Sequence, residues 1–374
     1  MNLDIRYTEE TEYYVAFSHV PGIGPIKVEN LIKKYGSITA AYNAPAEELS
    51  RYISAKTLKK FLIFRSSTSP YSILKSLLKK DIQVLTPELP QYPNKLRNIA
   101  TKPLCLYIRG DISIVANQPQ EITPTIAPAI AVIGSRLCTL YGRHLTNLFT
   151  ARLASAGCTI ISGMAAGIDA LAHETALKFR TKTLAILGCG VNIIYPPSNK
   201  ELYYRILSEG GAILSEFPPE QRVMKGLFVT RNRLISALSD GVLIIEGTNK
   251  SGTLKTAGHA ADQGRPIFLP PYNLTAPYGY TFSHLMQNGG IFVFSPDDIF
   301  YELNLKPPAL PPEMTLSLSK DEAELMSHIR SEITSPDLLS ERMDLPISTI
   351  LNRLSELELQ GHIAKNSLGE YYIC

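Results

Sequence analysis

The sequence predicts an α/β protein: a doubly wound parallel sheet at its centre, a small helical domain before it and a winged helix after it. Three observations predict this. From residue 131, short apolar runs alternate with helical segments, the pattern of βα units that build a parallel sheet. The first 80 residues instead carry apolar residues at helical spacing around a glycine turn. Beyond a proline-rich linker, three helical segments and a hairpin close the chain.

In chain order, residues 1–80 read as a helix-hairpin-helix domain. EYYVAFSHV, KVENLIKKYG and KTLKKFLIF keep helical spacing, and Pro21-Gly22-Ile23-Gly24 turns the chain between the first two. The amides of such a turn can hold a phosphate; the same glycines equally serve a turn that only packs. Residues 81–303 hold the sheet. QYPNKLRNIATKPLCLYIRGD has two X-Pro steps that enforce extended backbone before an apolar strand. VANQPQEITPTIAPA is polar and proline-rich, as an exposed loop is. The strands AIAVIGS, CTIISGM, KTLAILGCG, GAILSEF, DGVLIIEG, RPIFLPP and GIFVFSP follow. Their apolar residues are consecutive rather than alternating, as burial on both faces demands. Such a sheet binds its ligand at the carboxyl ends of the strands. Residues 304–317, around NLKPPALPPEMT, form the linker. Residues 318–374 form the winged helix, with KDEAELMSHIR, SPDLLSERM and PISTILNRLSELELQ as helices and GHIAKNSLGEYYI as the wing. Ile347, Ile350, Leu351, Leu354 and Leu357 are expected as the apolar stripe of its third helix, whose polar face offers Arg353 among Glu356 and Glu358.

Composition narrows the class. A chain of 374 residues, 45% hydrophobic and 19% charged, suits two or three cored domains and not a disordered polymer. Its cysteines, at 105, 138, 158, 189 and 374, form no CxxC pair, and their odd number argues against a disulfide framework, so the expected compartment is a reducing cytoplasm. MNLDIRYTEE is too acidic for a secretory signal, and no run of about 18 apolar residues marks a membrane span. The net charge of +3 is unevenly spread. Residues 1–80 carry 12 Lys and Arg against 7 Asp and Glu, residues 131–303 carry 15 against 12, and residues 318–374 carry 5 against 10. A polyanion is attracted to the first two regions and repelled by the last, which weights the winged helix toward protein contact over DNA reading.

The strand ends carry the chemistry. One ends in Gly134-Ser135-Arg136, the next in Ser162-Gly163 before Gly167, and a third in Glu246-Gly247, followed by Lys250-Ser251-Gly252-Thr253 at a helix start. Small-residue turns at one edge present amide concavities suited to anions. Arg136, Lys225, Arg231, Arg233, Lys250 and Lys255 add cations. The usual nucleotide signatures are absent: no GxxxxGK[ST], no GxGxxG, and GCGVNIIYPP runs into prolines instead of a helix. No paired metal-ligand spacing occurs among the histidines; His173 and His259 are expected as packed or surface residues, and Asp169 as a helix N-cap. No cofactor is expected. Phe228 just ahead of Arg231 and Arg233 offers a stacking ring beside phosphate-binding guanidinium groups. That combination fits single-stranded nucleic acid; the alternative is Phe228 in the core with both arginines in ion pairs.

AVIGSR…YG, SGMAAGIDALAH, TLAILGCGVNIIYPP, GAILSEFPP, RNRLISALSDGVLIIEG and SGTLKTAGHAADQGRPIF, in this order, resemble the DNA processing protein A (DprA) family, densely over residues 85–300. The helix-hairpin-helix (SAM-like) start and winged-helix end fit the family's longer members. The resemblance implies an extended Rossmann-like fold that binds single-stranded DNA, forms a homodimer, and loads RecA recombinase onto strands coated with single-strand binding protein in natural transformation. It implies no enzymatic activity. By motif position it assigns the DNA pocket to Arg136, Ser162, Gly163, Phe228, Arg231, Arg233, Lys250, Ser251 and Gly252; Gly134, Ser135, Lys225, Asn232 and Lys255 complete the expected set. The chain departs from the family pattern at FVTRNR, where a proline is usual, and at SGTLKTA and LPP. Two other classes remain: a nucleotide-processing phosphoribohydrolase, whose PGGxGTxxE glutamate is missing from KSGTLKTAGHA, and a winged-helix transcription regulator.

Overall fold

A computed structural model describes residues 5–117, 128–248, 252–272, 278–307, 309, 320–330, 335–359, 363–366 and 369–373. The chain divides into two compact units, residues 1–308 and 309–374.

Among the described residues of the first unit, nine strands form one sheet: β1 (Gln83–Leu85), β2 (Leu106–Gly110), β3 (Ala129–Ile133), β4 (Thr159–Ser162), β5 (Thr183–Ile186), β6 (Ala212–Ser215), β7 (Gly241–Ile244), β8 (Ile267–Leu269) and β9 (Ile291–Phe292). Their order is β1-β2-β6-β5-β4-β3-β7-β8-β9. β3 to β9 run parallel, as the sequence predicts. The strand of CLYIRGD instead pairs antiparallel with β6, and QVL extends that edge antiparallel to it.

Burial on both faces explains the unbroken apolar runs. Ile130 and Val132 of β3 join one core with Leu145, Phe149 and Ala172, while Ala131 and Ile133 join another with Leu234, Ile235 and Ala260. The helices Leu140–Ser155 and Ile168–Lys178 therefore cover one face, and Lys225–Leu238 and Gly252–Asp262 the other. Chain order steps outward from β3 through β4 and β5 to β6, then returns to β7 on the far side of β3. The neighbours β3 and β7 thus form a topological switch point, where the helices leave a crevice beyond the strand ends.

Among the described residues six helices precede the sheet: Glu9–Ser18, Pro25–Tyr35, Ile38–Asn43, Ala46–Leu49, Ala55–Ser67 and Pro70–Lys79. Gly24 caps the second of them and Pro25 opens it, a residue whose missing N–H costs nothing at a helix start. Phe17 stacks on Phe61 at 5.3 Å, and this helical core continues into Val84 and Tyr107 of the sheet edge. Among the described residues no helix is long and apolar enough to cross a membrane.

The second unit has helices Lys320–Arg330, Pro336–Met343 and Ile347–Leu359, and an antiparallel pair β10 (Ile363–Lys365) and β11 (Tyr371–Ile373). Ile350, Leu354 and Leu357 close on Leu325, Leu339 and Tyr371. Ile347 and Leu351 do not belong to this stripe: they are 40% and 41% exposed, because the i, i+4, i+7 set already fills the inward face. Arg353 is held by Asp321 at 2.7 Å. Most of the proline-rich linker lies outside the described residues.

Candidate nucleic-acid interface

An open cleft of about 650 Å³ lies at the switch point. Ile133 to Leu137, leaving β3, form one wall, and Thr248 with the first turn of helix Gly252–Asp262 forms another. The helix Lys225–Leu238 supplies Lys225, Phe228, Val229, Arg231, Asn232 and Ile235, and Ala165, Asp169, Tyr195 and Val223 complete the lining. That helix is amphipathic along its length: its second half is buried among Leu234, Ile235 and Leu238, while Lys225 and Val229 remain exposed.

Two exposed cations, Arg136 and Lys225, line the cleft along with the half-buried Phe228. The Arg136 guanidinium stands 5.8 Å from the Phe228 ring centre, a cation–π distance. The Tyr195 ring lies 5.5 Å from that of Phe228, tilted by 43°. The turn after β3 is preset: the Ile168 amide donates to the Ser135 carbonyl at 3.1 Å, and the Leu137 amide donates to Ser135 Oγ at 3.2 Å. Ser135 thus spends its hydroxyl on its own turn and leaves Arg136 outermost.

Arg231 forms the floor. It is 4% exposed, and its Nη1 donates to the Gly163 carbonyl at 2.8 Å and to the Ile186 carbonyl, tying the ends of β4 and β5 together. Its Nε donates to Asn232 Oδ1 at 3.1 Å, and Asn232 Nδ2 donates to the Gly252 carbonyl at 3.2 Å, which fixes the start of the next helix. Only glycine fits at 163, since a Cβ there would stand 2.6 Å from the guanidinium and 2.7 Å from Asp169 Oδ2. Asp169 is not the expected N-cap. Gly167 takes that position, and the Asp169 carboxylate accepts the Gly163 amide at 3.2 Å. Burial raises the Asp169 pKa, with Arg231 and the amides pulling it back. Burial likewise brings Arg231 down to about 10, opposed by Asp169.

The expected pair of rim arginines is therefore corrected. On a helix, residues 231 and 233 point about 200° apart. Arg233 lies on the other face, 8% exposed, paired with Glu216. It lines a separate cleft of about 480 Å³ with Lys95, His259 and Arg265. Ser162 is buried and donates to the Val132 carbonyl at 2.6 Å, so Ser162 and Gly163 sit beneath the cleft and not in its lining. Lys255 is exposed but outside the lining. Lys250 and Ser251 fall outside the described residues. The cleft does unite Gly134, Ser135, Arg136, Lys225, Phe228, Arg231, Asn232 and Gly252. Sequence reasoning missed Tyr195, hidden in GCGVNIIYPP, and the threonines Thr248 and Thr256. His173 is packed as expected, with Nδ1 2.7 Å from Thr183 Oγ1.

Comparison with known proteins follows the same outline. The family of DNA recombination-mediator protein A matches residues 83–304, the whole sheet with its helices, and the DprA winged helix domain matches residues 306–366. The chain belongs to the DprA family. Protein Smf of Synechocystis is 33% identical over 300 residues, 80% of this chain and 74% of its own. The DNA processing protein DprA of Bacillus subtilis is 34% identical over 231 residues, 62% of this chain and 74% of its own. Among solved structures, DprA from Streptococcus pneumoniae matches 80% of this chain and 99% of its own with a TM-score of 0.62 at 26% identity. DprA from Helicobacter pylori, described for its single-stranded DNA binding mode, matches 60% of this chain and 95% of its own with a TM-score of 0.51 at 29% identity. The family placement read from the ordered motifs stands, and with it a DNA-processing role in recombination.

Proposed function

We propose that this DprA-family chain binds single-stranded DNA in the switch-point cleft and hands it to RecA recombinase. The observation that carries the reading is that Arg136 and Lys225, both exposed, line one open cleft together with an aromatic pair. Exposed cations meet phosphates at little desolvation cost, and rings take bases of any sequence. The acidic side chain in the described lining, Asp169, is buried against Arg231 and several amides, so it neither repels a strand nor presents a free base. The H. pylori relative, described as binding single-stranded DNA, supports the same assignment. The protein on this reading acts by binding and not by catalysis, in the cytoplasm, as a homodimer, with single-strand binding protein displaced as RecA loads.

Lys225→Glu tests the site. Anisotropy titration of a labelled oligothymidine should show affinity falling at least tenfold with thermal stability unchanged, because Lys225 is exposed at the first turn of its helix. Wild-type affinity in that variant would remove the cleft from the reading. For the partner, adding the chain to RecA and strands coated with single-strand binding protein should accelerate RecA filament assembly; no acceleration would leave DNA binding without the loading role.

A further inference from the structure

We propose that the cleft lined by Arg233 is a second binding site, built for the phosphate group of a small phosphomonoester. This cleft, of about 480 Å³, shares no lining residue with the switch-point cleft. Its charged lining is Lys95, Arg233 and Arg265 against Asp262. The acids that hold two of these cations, Asp240 at 2.7 Å from Lys95 and Glu216 on Arg233, are not in the lining. Asp262 is exposed, so water and salt screen it. An entering anion thus meets three cations and one screened acid.

Two of the guanidinium groups have donors to spare. Arg233 is 8% exposed and joined to Glu216 through Nη2, while its buried Nη1 meets no acceptor among the described residues. Arg265 gives Nη2 to the Ala237 carbonyl at 3.3 Å, and its buried Nε is likewise without an acceptor. A covered donor without a partner costs free energy, and an acceptor brought into the adjoining cleft removes that cost.

The origin of the donors selects the shape of the anion. Lys95 comes from the short helix Asn94–Arg97, Arg233 from helix Lys225–Leu238, and Arg265 from the turn after helix Gly252–Asp262. Donors on separate elements suit a tetrahedral group, whose oxygens point apart. A carboxylate holds its oxygens in one plane and suits a single guanidinium fork. Ile99, Ala100 and Ala237 add an apolar stretch of wall for the body of the ester, and the volume is that of a small-molecule site.

The test is calorimetric titration of the full chain with inorganic phosphate and with thymidine 5′-monophosphate. Both should bind saturably. Arg265→Gln should weaken both by about tenfold or more, the worth of one charge-assisted hydrogen bond, while its affinity for oligothymidine stays within about twofold. Asp262→Lys, at an exposed position, should tighten both. Comparing 5′-phosphorylated with 5′-hydroxyl oligothymidine separates two sources of the phosphate. An advantage of the phosphorylated strand that Arg265→Gln abolishes assigns the site to a DNA end; binding of the small probes without that advantage assigns it to a free metabolite. No saturable binding, affinities unchanged in both variants, or a loss of phosphate binding in Lys225→Glu, which would put the anion in the switch-point cleft, overturns the proposal. None of these results bears on whether oligothymidine binds, so the proposed function stands or falls separately.

Discussion

Burial decides what each arginine at this site can do. Arg136 is exposed over Phe228 and can turn its donors to a phosphate while keeping part of its hydration. Arg231 has already committed its donors to Gly163, Ile186 and Asn232, and it offsets Asp169. Two opposite outcomes follow from the same substitution. Arg136→Ala should leave the urea midpoint in place, weaken oligonucleotide binding, and flatten the slope of log affinity against log salt by about 0.7, one phosphate contact. Arg231→Ala strands a buried carboxylate and two carbonyls, and should destabilise the fold by ~3–5 kcal/mol in chemical denaturation. A folded Arg231→Ala variant of normal stability with a flattened slope would reverse these roles. The sequence lists both residues as cations near a ring and does not separate them; the difference lies in which backbone carbonyls converge on position 231, a fact of tertiary structure.

At the scale of elements, helix Lys225–Leu238 shows how one segment serves two sites. Phe228, Asn232 and Ile235 share the cleft face, and Arg233 and Ala237 share the other. That division was legible in principle, since the apolar spacing of LISAL already marks a helix and a helix cannot align residues two apart. The seven parallel strands were legible because burial on both faces demands consecutive apolar residues. β1 was not: three residues, QVL, held by an antiparallel partner, leave no periodicity to detect. Helix Ile168–Lys178 gives this scale its test. His173 is buried against Thr183, and burial, with Arg231 near it, pushes its pKa down to about 3 from an ordinary 6.5. A depressed histidine pKa means the folded state excludes the proton. Its stability contribution is complete above pH 6.5 and is lost as pH falls toward 3. Asp169 and Glu216, both raised by burial, have the opposite sign and gain as pH falls. Urea midpoints measured across that interval should fall less steeply for His173→Gln than for the unaltered chain. Parallel curves would mean that His173 is not buried neutral.

For the whole molecule, topology does what no local motif can. The cleft draws on residues from 133 to 256, and the crossing from β6 back to β7 brings them to one edge. This is why Gly134 to Arg136 could be singled out from a glycine turn while Tyr195 could not: nothing near IIYPP signals a ligand until the sheet is assembled. The division at residue 308 is also a property of the assembled chain. Residues 318–374 carry 5 cations against 10 acids, and Arg353 of the third helix is already paired with Asp321. Removing residues 309–374 should therefore leave oligonucleotide affinity within about twofold and the first unit's thermal transition unmoved; loss of most of the affinity would place part of the DNA interface in the winged helix. The central claim is that the switch-point cleft is an electropositive seat for an unpaired strand. The measurement that tests it most directly is a titration of the full chain with matched single-stranded and duplex oligonucleotides over a series of salt concentrations. The account predicts tighter binding to the single strand, with log affinity falling linearly in log salt by about 0.7 per phosphate held. Equal or tighter binding to the duplex, or an affinity indifferent to salt, would contradict it.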